Sequence, residues 1–410
     1  MNNRLLFVNP RIMIRKEVFD NPAFCVTGML YAASAASSAG YDVKIIDAFT
    51  SDEKIVRKDD KIIIGEHPKK LLEKIRKEEP DIIFINYSDF HREINLMPKS
   101  LRFLLKQLDE HPAKVILANF HLSECMKYFN LNLDKMKSVA PGRYNLMDGY
   151  FQDKVKEFLK DNEKETSFLE SGKIDFGLID IPRYSSLFRS LTREGLIKEH
   201  ESEQDIFPLF TSQGCNFNCF FCSERKGRWR PFPLEDVKND IKYLSRRGIS
   251  KIFFLDLLAN MDNRRFNRIL DTIIDEGLKA HFTNGLRIDL LDEESIKRLA
   301  QCTDILSVSI ESADQEVLNG IIQKRLDLST AEKNIKLISE HGIQCYAHYM
   351  IGSPGESKDS IEKTRKLAER WRDEYNITPR IQEYIPVSVS DSFDEYGNNI
   401  LSRKFVMRGT

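Results

Sequence analysis

The sequence predicts an α/β protein in which a doubly wound, Rossmann-like parallel sheet is followed by a partial (β/α)6 barrel. Short apolar runs alternate with helical stretches in two separate series, and a segment of mixed charge lies between them. With 410 residues, the chain exceeds the size at which one hydrophobic core usually stops growing. The predicted domains are 1–160 for the sheet, 161–205 for a linker, 206–390 for the barrel and 391–410 for a C-terminal extension.

The first series begins with a buried-type strand, RLLFV (4–8), which ends at Asn-Pro. A helix of small residues follows from Gly28 to Ala39, and residues 51–79 form a charged insertion that leads into a helix. The remaining predicted elements are the strands 41–47, 81–88 and 113–120 and a helix near Leu96 to Leu108. Because parallel strands need helical crossovers, this order predicts a doubly wound sheet with a ligand crevice outside the carboxyl ends of its strands. No glycine-rich phosphate loop follows Val8, which disfavours a nicotinamide-binding fold.

The second series begins at Phe207 and repeats the alternation six times. Its predicted strands are 208–213, 251–256, 279–285, 304–310, 343–351 and 380–386. Helices are predicted between them, including Glu235 to Arg247, Asn263 to Gly277 and Ser357 to Glu374. Six βα units form a partial barrel, and such barrels carry their chemistry at the carboxyl ends of the strands.

Composition and charge narrow the classes of function. The net charge is −1, so bulk charge does not indicate a nucleic-acid partner. The first apolar run, Leu5 to Val8, is too short for a signal peptide or a membrane span. Four of the seven cysteines are scattered, as is typical of a reducing compartment. We therefore expect a cytoplasmic protein without a membrane or nucleic-acid partner.

Three cysteines, Cys215, Cys219 and Cys222, lie within eight positions of the stretch FTSQGCNFNCFFCSERKGRWR. A zinc site would need a fourth ligand, and His281, on a later strand, could join only through the fold. The cysteines could also be buried apolar residues. An iron–sulfur cluster held by three thiolates would leave one iron open, and a small molecule with an amine and a carboxylate could chelate that iron.

The spacing C-x3-C-x2-C, with Phe221 before the third cysteine, resembles the signature of the radical S-adenosylmethionine (radical SAM) superfamily. Three later segments resemble that family in the expected order: FFLDLLANMD, ILSVSIESADQEVL and HYMIGSPGES. The resemblance implies a [4Fe–4S] cluster on the three cysteines and a bound S-adenosylmethionine. It places six residues at the cofactor: Phe221, Asp256, Arg287, Glu311, Gly352 and Gly355.

The resemblance also implies a reaction. The reduced cluster cleaves S-adenosylmethionine to a 5′-deoxyadenosyl radical, which abstracts a hydrogen atom from the substrate. Such an enzyme needs an external one-electron reductant of the flavodoxin or ferredoxin type and acts on a small molecule or peptide. The cofactor supplies the radical chemistry, and the barrel supplies orientation and a dry chamber.

The first domain resembles that of the cobalamin-dependent radical SAM subgroup, through LLFVNP and YAASAASSAGYDVKIIDA. This implies cobalamin as a third cofactor and favours C-methylation of an unactivated carbon in a natural product or peptide. The chain departs from the subgroup at Asn119, Phe120 and His121, where Phe120 is expected to crowd the face on which a corrin lies.

Two alternatives remain open at the level of sequence. In the first, the N-terminal domain binds no cobalamin and the enzyme epimerises, rearranges or cleaves its substrate. An epimerase returns a hydrogen atom from a thiol, for which Cys345 or Cys302 are candidates, although a buried apolar cysteine is the simpler interpretation of each. In the second, the barrel is a binding scaffold that holds an iron–sulfur cluster or zinc without catalysis.

Overall fold

A computed structural model of the chain describes residues 4–15, 25–51, 55–58, 61–87, 99–118, 120, 143–147, 173–193, 205–222 and 227–384. The chain divides into two compact units, with the boundary between Asp205 and Ile206. Among the helices that the structure describes, none has both the length and the apolar content needed to cross a bilayer.

The first unit contains eight described strands and four described helices. The strands are β1 (Arg4–Asn9), β2 (Ile12–Arg15), β3 (Asp42–Asp47), β4 (Ile55–Lys58), β5 (Lys61–Ile64), β6 (Ile82–Asn86), β7 (Lys114–Ala118) and β8 (Tyr144–Met147). The helices are α1 (Cys25–Ser38), α2 (Pro68–Glu78), α3 (Lys99–Leu108) and α4 (Ile181–Arg193).

A five-stranded parallel sheet in the order β3-β1-β6-β7-β8 forms the centre of this unit. The predicted doubly wound sheet is confirmed. Strand order reverses between β1 and β6, and ligands of open α/β sheets bind outside the carboxyl ends at such a switch point. There Asn86 Nδ2 donates to Asn9 Oδ1 at 2.9 Å, and Asn9 Nδ2 donates to Asp47 Oδ1 at 2.7 Å.

The two faces of the sheet are both apolar, as expected when helices cover a parallel sheet on each side. On one face, side chains of β1, β6 and β7 pack with α2 and α3. On the other, Phe7 stacks on Phe84 at 4.7 Å, and Phe120 packs against Phe7 at 5.7 Å. Phe120 is 1% exposed, so its ring belongs to the core, and the crowding of a corrin by this ring stays a prediction. Asn119 and His121 lie outside the described residues.

Two features of the first unit differ from the sequence prediction. Within the charged insertion, β5 pairs with both β2 and β4 to form a small antiparallel sheet, because 55–58 and 61–64 are rich in β-branched residues. Within the predicted linker, α4 forms a regular helix. Its buried apolar and aromatic residues recur at spacings of three and four, which is the pattern of a helix that packs on a core: Ile181, Tyr184, Leu187, Phe188 and Leu191.

The described part of the second unit contains eight strands and five α-helices, numbered on from the first unit. The strands are β9 (Ile206–Leu209), β10 (Ser212–Gln213), β11 (Arg230–Pro231), β12 (Lys251–Phe254), β13 (Lys279–Phe282), β14 (Ile305–Glu311), β15 (Gln344–Ile351) and β16 (Thr378–Glu383). The helices are α5 (Leu234–Arg246), α6 (Asn263–Asp275), α7 (Glu293–Cys302), α8 (Leu328–Glu340) and α9 (Lys358–Tyr375). Four of them begin at side chains that accept a backbone N–H, as helix N-caps do: Asp262, Asp292, Asp327 and Ser357.

Six of these strands form the predicted partial barrel. β9, β12 and β13 are parallel neighbours, and so are β14, β15 and β16. A parallel bridge between Leu286 and Val308 joins the two groups. The strands therefore follow one another around the barrel in chain order.

The barrel strands have a helix-facing side and an interior side, because successive side chains of a strand point to opposite faces. Phe282 of β13 packs against Phe266 of α6, and Tyr349 of β15 packs near Trp371 of α9. These residues mark the helix-facing side. Alternation then places His281 on the interior side of β13, and Tyr346 and His348 on that of β15.

Candidate active site

The three cysteines lie on a loop that follows the first barrel strand and whose described residues are 214–222 and 227–229. β10 and β11 close this cysteine loop as an antiparallel ribbon. Gly214 begins it with φ of 72°, a left-handed conformation that favours glycine. The three cysteines are half-buried, and none of them forms a disulfide.

A second segment, residues 322–325, fastens the cysteine loop from the side. Phe220 N donates to Ile322 O at 3.0 Å, and Asn218 Nδ2 donates to Gln323 Oε1 at 3.1 Å. Gln323 and Arg325 have φ of 56° and 52°, which is uncommon for residues with a side chain. We call residues 322–325 the clamp segment. Its unusual backbone turns Lys324 into the protein, where its side chain is 7% exposed.

Lys324 forms a buried ion pair with Glu311 at the end of β14. Nζ lies 2.8 Å from Glu311 Oε1, and the Glu311 side chain is 12% exposed. Glu311 has φ of 74° at an irregularity in the β14–β15 register. The surrounding fold therefore holds this carboxylate in a strained position, as is frequent at functional sites.

Arg287 makes a second buried ion pair beside the loop. Its guanidinium donates to both oxygens of Asp289, at 2.8 and 3.0 Å, and to Arg325 O at 2.7 Å. It also lies over the ring of Phe217, 3.7 Å from the ring centroid. Bidentate pairing and stacking fix the plane of the guanidinium, so Arg287 joins the cysteine loop to the clamp segment.

These charges act on the thiol of Cys219. Burial raises the pKa of Cys219, and the charge of Glu311 acts in the same direction, whereas the Lys324 ammonium and the Arg287 guanidinium act to lower it. A thiolate, which is the form that binds metal, is stabilised by neighbouring cations.

Asp256 lies directly behind the start of the loop. Its buried carboxylate accepts the Thr211 N–H at 3.0 Å, the Thr211 hydroxyl at 2.7 Å and the Ser212 hydroxyl at 2.6 Å. Burial raises the pKa of Asp256, and these hydrogen bonds oppose the shift. Arg265 donates to Thr211 O at 3.0 Å. In this arrangement, Asp256 holds the strand end that precedes Cys215.

Phe221, Gly352 and Gly355 lie on two different loops at the carboxyl ends of strands. The ring of Phe221 packs edge-on against Phe220. Gly352 and Gly355 have φ of 79° and 83°, and a Cβ at Gly352 would meet no atom within 4 Å. Glu356 accepts the backbone N–H of Gly352 at 2.7 Å and so orders this turn. Their roles at the adenine remain predictions.

The residues present fit a cluster held by three thiolates. The loop offers three half-buried cysteines, two cations act on Cys219, and a [4Fe–4S] cluster takes cysteine thiolates as ligands. Across the described ranges, no three His, Cys, Asp or Glu side chains are gathered as they would be around a single ion. Ligands of a cluster bind different irons and stand further apart. His281 is buried and packs on Phe253 at 4.9 Å.

The other two described thiols are in the core. Cys345 is 0% exposed and shares the helix-facing side of β15 with Tyr349, and burial raises its pKa to about 12. Cys302 is buried in α7, its Sγ donates to Arg298 O at 3.3 Å, and burial raises its pKa to about 11. Neither thiol lies on the interior side of the barrel, so the structure supports the interpretation of each as a buried apolar cysteine.

Residues 209–368 match the family described as the Radical SAM superfamily. The second unit contains a radical SAM domain. The match covers the cysteine loop, both buried ion pairs and four of the six barrel strands in full. Radical SAM domains bind a [4Fe–4S] cluster and S-adenosylmethionine. The relatives that match this domain include a methyltransferase and a cyclase, which supports an enzymatic role for the domain.

Two curated relatives show the range of proteins that share the radical SAM domain. An uncharacterized methyltransferase of Pyrococcus horikoshii is 30% identical over 173 residues, which are 41% of this chain and 37% of the relative. The anaerobic magnesium-protoporphyrin IX monomethyl ester cyclase of Rubrivivax gelatinosus is 26% identical over 196 residues, which are 46% of this chain and 34% of the relative. The chain thus matches about a third of the length of these relatives.

A solved structure resembles the fold over most of the chain. The radical S-adenosylmethionine methyltransferase TsrM of Kitasatospora setae, with cobalamin and a [4Fe–4S] cluster bound, has a TM-score of 0.62 and 14% sequence identity. The similarity covers 93% of this chain and 75% of TsrM. It therefore extends beyond the radical SAM domain into the first unit.

Several residues around the radical SAM site were not found from sequence. Lys324 lies in IIQKRLDLS, which has no motif, and only the two left-handed residues around it bring it to Glu311. Thr211 and Ser212 read as ordinary strand residues before the first cysteine. Tyr384, whose ring stacks on Phe220 at 5.4 Å, could be found only from the tertiary structure.

Proposed function

We propose that Cys215, Cys219 and Cys222 hold a [4Fe–4S] cluster and that S-adenosylmethionine binds at the iron without a cysteine ligand. The observation that carries this is the cysteine loop, whose half-buried thiols are fastened beside Lys324 and Arg287. When bound, the cluster and S-adenosylmethionine supply one-electron chemistry that removes a hydrogen atom from an unactivated carbon.

The residues of this chain have supporting roles in that chemistry. Asp256 holds the strand end before the first thiolate, and Lys324 and Arg287 offset the negative charge of the thiolates. Glu311 is fixed by its ion pair, and we propose that it binds the ribose or the amino-acid end of S-adenosylmethionine. Phe221 and the turn at Gly352 and Gly355 provide an apolar ring and accessible backbone, which suit the adenine.

We further propose that the reaction is a cobalamin-dependent C-methylation of a small molecule or peptide, driven by an external one-electron reductant. The doubly wound order of the first unit, with its switch point at Asn9 and Asn86, supports this proposal, as does the likeness to TsrM. A bound corrinoid would supply a methyl carrier.

The test is anaerobic reconstitution of the full chain with iron, sulfide and hydroxocobalamin, followed by iron and corrinoid analysis. We expect about four irons and one corrinoid per chain, and formation of 5′-deoxyadenosine from S-adenosylmethionine under reduction. A chain that binds iron but no corrinoid would exclude the methylation and leave a radical enzyme of another type. A chain that binds no cluster would exclude the radical proposal.

The matched control is the variant C215A/C219A/C222A. We expect it to lose the cluster and S-adenosylmethionine cleavage, and to retain the corrinoid, because the first unit has its own core. Retention of a [4Fe–4S] spectrum in this variant would show that other residues hold the cluster.

A further inference from the structure

Three neighbouring strands present a row of polar side chains across the barrel. Ser309 of β14 is in register with His348 of β15, and His348 is in register with Arg380 of β16. Because these strands are parallel, residues in register point to the same face of the sheet. Tyr346, two residues before His348, shares that face. We call these four residues the polar wall.

The polar wall lies on the interior side of the barrel. Tyr349 of β15 packs near Trp371 of α9 and marks the helix-facing side, so Tyr346 and His348 point the other way. In a barrel of this kind, the interior at the carboxyl ends of the strands is where ligands bind. The wall faces this interior further back along the strands, since Tyr346 and Arg380 are each the third residue of their strand, and it is therefore placed to contact a part of the substrate that extends into the barrel.

The positive charge of the wall is that of Arg380, for which the described residues show no acidic partner. The two carboxylates described beside the cysteine loop already have cationic partners, Lys324 and Arg287. In the described part of the chain, the one side chain recorded against the Arg380 guanidinium is the ring of Tyr346, 4.6 Å from its centroid. Arg380 is exposed, so its donors are open to a ligand. A ring stacked on one face of a guanidinium leaves the N–H edge available for an anion.

We infer that the polar wall binds an anionic oxygen group, a carboxylate or a phosphate, of the substrate. The inference rests on the proposed function, because it takes the barrel interior as the substrate chamber. Arg380 supplies the charge and paired N–H donors, Tyr346 holds the guanidinium in its plane, and Ser309 supplies a further polar contact. The substrate class is thus an acid or a phosphorylated compound.

The distance of the wall from the radical chemistry also limits the substrate. Tyr384, which stacks on Phe220 of the cysteine loop, follows Arg380 by four residues. At about 3.3 Å per residue, Arg380 lies roughly 13 Å back along the strand direction from the level of the loop. The anionic group would anchor one end of the substrate, while the carbon that reacts lies well away from it.

Isothermal titration of the reconstituted full chain with simple probes tests this inference. The probes are inorganic phosphate, acetate and the neutral acetamide, and the variants are R380Q and R365Q. R365Q makes the same change at an exposed arginine of α9, on the helical layer. We expect the wild type and R365Q to bind one of the anions, R380Q to bind it at least tenfold more weakly, and acetamide to bind to none of them.

The anion that binds more tightly identifies the anionic group of the substrate as a phosphate or a carboxylate. The inference is overturned if R380Q binds both anions with the affinity of the wild type. It is also overturned if the wild type binds acetamide as tightly as acetate. If R380Q does not fold, the variants Y346L and Y346F test the inference instead. We expect Y346L to weaken anion binding and Y346F, which keeps the aromatic ring, to retain it. Equal anion binding by the two variants would overturn the inference. Probe binding needs no radical chemistry. A wild type that binds the anion but does not cleave S-adenosylmethionine would therefore contradict the proposed function alone.

Discussion

Lys324 Nζ lies 2.8 Å from Glu311 Oε1, and both side chains are almost fully buried beside the cysteine loop. Removing one member of such a pair leaves a buried charge without a partner, which costs about 3–5 kcal/mol. We therefore expect K324M to lower the free energy of unfolding of the second unit by about that amount. Tryptophan fluorescence during denaturant unfolding measures it, because both tryptophans, Trp229 and Trp371, lie in this unit.

The controls for this pair are K336M and K324M/E311Q. Lys336 is 62% exposed and its ion pair is long, so K336M should change stability little. The double variant removes both charges and should cost less than K324M alone. A cost of K324M no greater than that of K336M would show that the buried pair does not stabilise the fold.

We expect Asp256 to help the chain retain its cluster, because it holds Thr211 and Ser212 at the strand end before the cysteine loop. In D256N, an amide NH2 would face donors that now point at a carboxylate, and hydrogen bonds to a charged group contribute about 1.5–3 kcal/mol. We expect a loss of stability of about 2–3 kcal/mol and faster loss of iron from the reconstituted chain, measured with a ferrous chelator. T211V, which removes one hydroxyl, should cost about 1 kcal/mol. Equal iron retention in D256N and wild type would contradict this role.

Cys345 is expected to be structural. Because its thiol is buried on the helix-facing side of β15, C345A should cost roughly 1 kcal/mol of stability and leave the identity and yield of the product unchanged. Unfolding and product analysis by mass spectrometry measure the two effects. A folded C345A chain that accumulates a product radical would instead show that this thiol returns a hydrogen atom to the substrate.

The half-buried carboxylate of Asp47 predicts a pH dependence of the first unit. Burial raises its pKa above the ordinary value of 3.8, although Tyr184, Phe49 and Asn9 donate hydrogen bonds to it. Between 3.8 and the folded-state pKa, the folded chain binds more protons than the unfolded chain, so the free energy of unfolding falls as the pH rises. D47N lacks this titration and also loses an acceptor, which is a cost that does not depend on pH.

The difference in stability between D47N and wild type should therefore move in favour of D47N as the pH rises through that window. Melting followed by far-UV circular dichroism at several pH values measures this difference. D42N is the control, because Asp42 is 73% exposed and should show no such trend. If the difference in stability between D47N and wild type is constant with pH, the pKa of Asp47 is not raised in the folded chain.

Local patterns were sufficient to predict much of the fold. The apolar runs that became β1, β6, β12, β14 and β15 are short, bounded by breakers and separated by amphipathic helices, so periodicity alone identifies them. The hairpin of β4 and β5 and the helix α4 were missed, because each lies in a charged stretch. The small sheet also depends on pairing with a segment distant in sequence, since β5 pairs with β2.

In the candidate active site, too, some features could be predicted from local sequence and others could not. The spacing of Cys215, Cys219 and Cys222 is a local property, and so is the Arg287 and Asp289 pair, whose members are two residues apart. Sequence alone determined that three thiols follow a barrel strand and that two α/β series follow each other. The tertiary structure decided which residues surround those thiols. Lys324 reaches Glu311 through left-handed backbone, and Arg380 joins His348 and Ser309 through strand register, because such contacts arise only when distant segments are brought together by folding.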